Sequence, residues 1–509
     1  MKKRSLVVVT VDCLRADHVG FLGYSRPVTP FLDSLAKTGM VFPQAIVAGA
    51  PTYFSFPAIM ASRYPLGLGR EVLGVAPGEP TIASVLQDSG YETAAFVAGN
   101  PYLTARFGYD QGFARFEDFM HSTSSCKNVS GTANGSRVWS DLNRHIERFS
   151  RKTKVTATIY DELYFQYCQR QSCRGVVSMD QLRRYPSADV LVSQAIEWIE
   201  ALQDQPFFLW VHLMDPHHPY YPPLDALSSL GVSSSVSPQR ALYLNSFWNR
   251  FDIDARRLDR HREEIVTLFD AGVRWVDQQL SRLVDGLQKR HRWSETVFAV
   301  TADHGEEFLE HGNRYHSPVS LSEQIIRVPL LIRTPEISSG KTLNKIFSQI
   351  HLSPTLLQAV GVTVPSSFQG NGCWDQVVCG QLPDNPAIVE CTEGCNNPWQ
   401  VADRVRPRLM AVRETDYKLV IRFRDQAEAL YCVKDDPLER QALNADVEKD
   451  KRMRLWRIAG SHLRESRERR DPNLMLRARF RDIRLRLSLA GANGDTAQIQ
   501  GPFEIADHG

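Results

Sequence analysis

The chain has 509 residues, 43% of them hydrophobic and 23% charged, with a formal net charge of +2. That is enough apolar sequence for a large core in two or three structural units. The balance is too near neutral to draw the whole chain to nucleic acid, and a mean hydropathy of −0.30 fits a globular protein rather than a membrane-embedded one.

The start, "MKKRSLVVVTVDC", mimics a secretion leader. Its apolar run stops at Asp12, however, with no small-residue cleavage site after it. The reading is a buried strand over Ser5 to Val11 in a cytoplasmic protein without a membrane span. The nine cysteines are odd in number and scattered, which suits free thiols, and "CTEGC" lacks the second pair a structural zinc needs. "TPFLDSLAKTG" has a Thr cap, Pro in the first turn and a closing Gly, the signature of a helix. Helix then strand follows in "TIASVLQDSG" and "YETAAFVAG", and again in "ADVLVSQAIEWIEAL" and "PFFLWVHLMD". A third such unit is "VRWVDQQLSRLVDGLQKR" with "ETVFAVTADHG", and "RVPLLIR" with "SPTLLQAVG" closes the series.

This alternation predicts an α/β fold: a doubly wound, mostly parallel sheet with helices on both faces, plus a smaller C-terminal α+β subdomain. The catalytic unit is expected over residues 1–370, interrupted by insertions at about 120–186 and 224–261. The second insertion reads as a Ser-rich loop that becomes Arg-rich; long insertions of this kind serve as lids or binding loops, or are disordered. Short antiparallel strands are expected over 371–446, and an Arg-rich helical extension with a frayed Gly- and Ala-containing tail over 447–509. Acidic residues interleave with those arginines, so the extension reads as a solvated helix packed on the domain or on a partner subunit of a homo-oligomer, not as a nucleic-acid site.

Ligands of open α/β sheets gather at the carboxyl ends of strands. Three predicted strands end in candidate ligands: Asp12; Asp215 with His217 and His218; and Asp303 with His304. Carboxylates and imidazoles at one sheet edge suggest a metal site. Thr52, in "GAPTYFSFPAIMASRYP", lies just before or at the start of a helix that includes Ala58 to Ser62. It serves there either as a cap or as a metal-activated nucleophile. Ser55 is the rival nucleophile. Arg15 is either an anion-neutralising group or a surface or capping residue.

Several stretches together resemble the sulfatase family of the alkaline phosphatase superfamily. They are "VVVTVDCLRADHVGFLGYSRPVTPFLDSLAKTGMVFPQA", "APTYFSFPAIMASRYP", "MDPHHPYYPP", "TADHGEEFLEHG", "HSPVSLSEQIIRVPLLIRTP", "LSPTLLQAVG" and "ALYCVKDDPLERQAL". The resemblance runs from about Ser5 to Leu443, outside the two insertions. It implies that Asp12, Thr52, Asp303 and His304 hold a divalent metal. It also implies that His217 contacts the transferring group or protonates the leaving oxygen, and that His316 contacts the anion. Asp17, His18 and His311 are expected to play structural parts.

The departures from the family pattern are informative. The family's Cys-x-Pro-x-Arg, which directs formylglycine formation, falls on Thr52, Phe54 and Phe56. Cys13 stands where sulfatases usually carry a second Asp. One His and fewer carboxylates suit zinc or manganese better than calcium. A second metal stays open, with Asp215, His217 and His218 as its suppliers. A Thr at the nucleophile position resembles the branches that attack phosphorus through a phospho-enzyme. The expectation is therefore a hydrolase or transferase of an anionic phosphate or phosphonate ester, proceeding through a covalent Thr52 intermediate. The alternatives are a sulfuric ester hydrolase without formylglycine and a non-catalytic binding module.

Overall fold

The computed structural model describes residues 3–120, 150, 153–231 and 236–492. Eight strands build the main sheet: β1 (Ser5–Val11), β2 (Met40–Val41), β3 (Glu92–Val97), β4 (Arg115–Glu117), β5 (Phe207–Leu213), β6 (Thr296–Ala302), β7 (Leu330–Arg333) and β8 (Lys341–Thr342). Their order across the sheet is β8-β2-β7-β6-β1-β5-β3-β4. Only β7 runs antiparallel to its neighbours. β1, β5 and β6 are buried along their whole length, as β-branched and aromatic runs covered on both faces must be.

The helices sort into two groups by mutual contact. Pro30–Ala36, Ala188–Ala201 and Arg262–Lys289 form one; Thr52–Ala61, Ile82–Asp88 and Leu352–Ala359 form the other. Together they flank the sheet, giving the doubly wound α/β architecture expected. The functional consequence lies in the middle of the sheet. β6, β1, β5 and β3 are adjacent and parallel, so the residues leaving their C-terminal ends share one edge.

A separate four-stranded antiparallel sheet runs through Ala387–Thr392, Arg408–Arg413, Tyr417–Arg422 and Ala427–Cys432. The helix Lys449–Glu468 lays Leu455 and Ala459 on it. The next helix, Pro472–Ala492, docks Ala478 against Leu68, Val72 and Ala76. Several of its arginines face inward partners: Arg481 donates to the carbonyls of Leu73 and Val75, and Arg479 pairs with Glu71.

Part of the first insertion, 121–149, and the tail, 493–509, lie outside the described residues. Residues 232–235, within the second insertion, lie outside them too, and the rest of that insertion differs from the loop expected. It folds as Leu224–Ser229, Pro238–Trp248 and Ala255–Asp259. Ser237 caps Arg240 N with Pro238 in the first turn, and Asp254 caps Arg257 N. These helix starts outweigh the Ser-rich composition. Every cysteine among the described residues is a free thiol. No helix among them is long and apolar enough to cross a membrane.

One buried network joins the small sheet to the segment that precedes β7. Lys418 is fully buried, 2.5 Å from Glu439 and 3.4 Å from Glu323, and donates to the Leu321 carbonyl at 2.7 Å. Glu323 also takes Arg413 at 3.0 Å. Removing one member strands a buried charge, so Lys418→Met should lower unfolding stability by about 3–5 kcal/mol, measured by urea denaturation. A loss under about 1 kcal/mol would show that the network is not holding the two parts together.

Candidate active site

Asp12 leaves the C-terminal end of β1 completely buried. Its carboxylate accepts from Asn100 Nδ2 at 3.2 Å and from the Cys13 thiol at 3.1 Å, and lies 3.4 Å from His212 Nε2. Cys13 takes a φ of 62°, a left-handed turn that carries the chain off the strand and sets its sulfur 3.1 Å from Asp12 Oδ1 and 3.4 Å from His316 Nδ1. Burial raises the Asp12 carboxyl, but the imidazoles of His217, His212 and His304 outweigh it and hold Asp12 well below the usual carboxylate range.

Thr52 is the first residue of the helix Thr52–Ala61, with Pro51 in the capping position. The hydroxyl is therefore not the cap. It lies 3.1 Å from His304 Nε2. That same nitrogen is 3.4 Å from Asp303 Oδ2 and 3.7 Å from Asp12 Oδ1. The four residues read from sequence as a metal set thus meet around one point. His304 Nδ1 donates to the Gly305 carbonyl at 2.9 Å, which leaves the Nε2 lone pair facing the oxygens. Asp303 Oδ2 is buried with no hydrogen-bond partner among the described residues. An unpartnered carboxylate oxygen, a second carboxylate, a hydroxyl and an oriented imidazole could together hold a divalent cation.

His217 and His316 complete the open side. Their ring centroids are 5.1 Å apart, and His316 lies 4.4 Å from His304. The two differ electrostatically. Desolvation, then His316, pushes His217 down despite Asp12, so it favours the neutral form. Desolvation also opposes charge on His316, but the buried carboxylate of Glu306, 3.2 Å from its Nδ1, pushes it up. Two neighbouring imidazoles held apart in this way can divide acid and base work.

Other predicted residues are placed elsewhere. Arg15 is buried and spent on internal partners: Asp17 at 2.7 Å, Glu310 at 2.6 Å and the Glu306 carbonyl at 2.9 Å. Asp215 takes the amide of Ala188 and the hydroxyl of Ser187, capping the helix Ala188–Ala201. The set Asp215, His217 and His218 is therefore not assembled for a second metal. The Ser55 hydroxyl donates back to the Thr52 carbonyl at 3.1 Å. Phe54 and Phe56 are core residues, Phe56 edge-on to His212. His18 pairs with Asp270 at 2.7 Å and His311 contacts Gln324 at 3.1 Å, both away from the cavity.

Four contributors escaped the sequence reading: Cys13, Asn100, His212 and Glu306. Asn100 closes "FVAGN" at the end of β3, so the strand-end rule applied to a fourth strand would have found it. His212 sits inside a fully buried strand, where sequence gives no sign of its partner.

Burial, then the neighbouring Asp12, pushes the Asp303 carboxyl up to about 7. Without a cation, the folded state keeps a proton there that the unfolded chain releases near its ordinary value of ~4. The native state binds more protons between those values, so stability falls as pH rises through that window. Asp12 titrates below the window and does not offset this. Asp215, raised to about 6 mainly by burial, adds the same sign. Burial also pushes the imidazoles of His217 and His218 down, which gives the opposite sign below their ordinary range, so the Asp303 part is read by difference: relative to chelated Asp303→Asn, the melting temperature of the chelated protein should drop between about pH 4 and pH 7, and a divalent cation should restore more of it at the higher pH. Equal stabilisation at both pH values would contradict this electrostatic picture.

Buried carboxylates and an imidazole thus gather at the C-terminal edge of a doubly wound sheet, beside a hydroxyl at a helix start. The family profile described as Sulfatase matches residues 4–362, and that described as N-sulphoglucosamine sulphohydrolase, C-terminal, matches residues 310–457. The chain belongs to the sulfatase family. It is 22% identical over 391 residues to the arylsulfatase of Clostridium perfringens (strain 13 / Type A), covering 72% of this chain and 77% of that protein. Two solved structures share its fold. The phosphonate monoester hydrolase SpPMH from Silicibacter pomeroyi has a TM-score of 0.63 at 18% identity, covering 93% of this chain and 97% of that one. A putative sulfatase from Bacteroides thetaiotaomicron VPI-5482 has a TM-score of 0.62 at 16% identity, covering 93% and 96%.

Proposed function

We propose that this chain is a metal-dependent hydrolase or transferase of phosphate or phosphonate esters, working through a covalent adduct on Thr52. The observation that carries the reading is the Thr52 hydroxyl, 3.1 Å from His304 Nε2, whose other neighbour is the Asp303 Oδ2 that has no hydrogen-bond partner among the described residues, at a position with no thiol to modify. Asp12, Thr52, Asp303 and His304 hold the ion. Bound there, a divalent cation lowers the pKa of a hydroxyl and stabilises charge on a phosphoryl oxygen.

Thr52 Oγ1, its proton released to solvent, attacks phosphorus as the ester P–O bond breaks, and the helix start favours the developing anion. His316, the more readily protonated imidazole, gives its proton to the departing alkoxide. His217, the more readily neutral one, accepts the proton of the water or acceptor alcohol that then releases Thr52. Proton donation thereby falls to His316, which Glu306 hydrogen-bonds directly, while His217, for which the family resemblance left open a contact to the transferring group or proton donation, keeps the other part. Arg15 acts at one remove, tying the Glu306–Glu310 segment to the exit of β1.

The arylsulfatase relative favours a second reading, sulfate-ester hydrolysis at the same Thr52. One experiment separates the two. The metal-loaded protein is given p-nitrophenyl esters of phosphate, phenylphosphonate and sulfate, and its intact mass is followed. The proposal expects turnover of a phosphorus ester and a transient phosphoryl or phosphonyl adduct lost in Thr52→Ala. Turnover confined to the sulfate ester would overturn it.

A further inference from the structure

Next to the carboxylate centre lies a softer set of donors. We infer that Cys13, His217 and His316 form a second cation site, suited to Zn²⁺, on the open side of the cavity. Their ligand atoms all lie within 4.8 Å of one another. Cys13 Sγ and His316 Nδ1 are 3.4 Å apart, close to the edge of a tetrahedron with bonds of ~2.0–2.3 Å. His217 Nδ1 donates to the His218 carbonyl, so its Nε2 carries the free lone pair, the orientation that ligating imidazoles show.

A second, independent observation is Glu306. It is fully buried, its Oε2 is 3.2 Å from His316 Nδ1, and its Oε1 has no hydrogen-bond partner among the described residues. The thiolate and this neighbouring carboxylate together would neutralise a divalent charge. Thiolate and imidazole donors select a soft ion, whereas the first centre is dominated by oxygen. On binding, the Cys13 thiol releases its proton to solvent, and the His316 Nδ1 proton leaves as well or moves to Nε2. The consequence for turnover rests on the reaction proposed above. A cation here withdraws the His316 proton and the His217 lone pair from substrate, so turnover falls as this site fills.

The test uses the full-length protein, stripped with a chelator and titrated with Zn²⁺ or Co²⁺. Bound ions are counted by elemental analysis after desalting, and the Co²⁺ form is followed by absorption. The unaltered chain should bind two equivalents and show a thiolate-to-cobalt charge-transfer band in the near ultraviolet. Cys13→Ser should bind one equivalent and lose the band. His316→Gln, altered at a partly exposed side chain, should do the same and guards against a folding defect in Cys13→Ser. Asp303→Asn should lose the other equivalent and keep the band. A single equivalent in the unaltered chain would overturn the inference. So would a thiolate band that survives His316→Gln, since it would put the thiol on the carboxylate-bound ion. None of these readouts needs turnover, so failure of the phosphorus-ester reading leaves them standing.

Discussion

Thr52→Ala should reduce turnover of the true substrate by about 10³-fold or more, the usual cost of deleting a nucleophile. The fold should hardly notice. Pro51, not Thr52, occupies the capping position, so what is lost is one buried hydroxyl contact, worth about 1 kcal/mol. Thr52→Ser keeps the oxygen and should retain a measurable part of the rate. The decisive readings are kcat, the melting temperature and the adduct mass on the same preparations. Near-normal kcat in Thr52→Ala would move the nucleophile elsewhere. Ser55 is a weak successor, because its hydroxyl is already turned into the helix.

Asp303→Asn should separate activity from stability. It removes a carboxylate that the fold buries at a cost, so the chelated variant should melt higher than the chelated parent near pH 8. The pH-dependence of its melting should flatten over the same range. Metal affinity should fall by about 100-fold or more, beyond the 10–100-fold typical of losing a group behind a ligand. Turnover at sub-saturating metal should fall in parallel. A variant that melts lower at all pH values, with metal affinity unchanged, would mean Asp303 is a packing residue and not a ligand.

Much of this site was legible because strand ends can be read from β-branched runs and their polar terminators. Asp12 and Asp303 were found that way, and they meet because β1 and β6 are neighbours. Asp215 satisfies the same rule equally well, yet it faces Ser187 and Ala188 and starts a helix. Sequence gives the end of a strand but not the direction its terminal side chain takes. Arg15 failed for a related reason. Its nearest suitors, Asp17 and Glu310, are close in space but split between one turn and a loop far along the chain. Cys13 read as a missing Asp; only the left-handed backbone there turned it into a donor. The Arg-rich C-terminus was legible in kind, since its cations face internal carbonyls and carboxylates, but its docking on Leu68 and Val72 was not.

The central place of β1 has a consequence for when the proposed metal-binding edge could be assembled. β1 is hydrogen-bonded to β5 on one side and β6 on the other, so Leu6 pairs with Phe208 and Val297. Asp12 therefore waits through the synthesis of more than half the chain before Asp303 and His304 exist beside it. Such distant pairings form late and slowly. No early fragment contains a competent set of donors, so the nascent chain has little means of trapping a stray cation in the wrong place. A cation held by the proposed set would therefore enter last, into a finished sheet. Refolding in the presence of a chelator should reach the native scaffold, with the ion added afterwards.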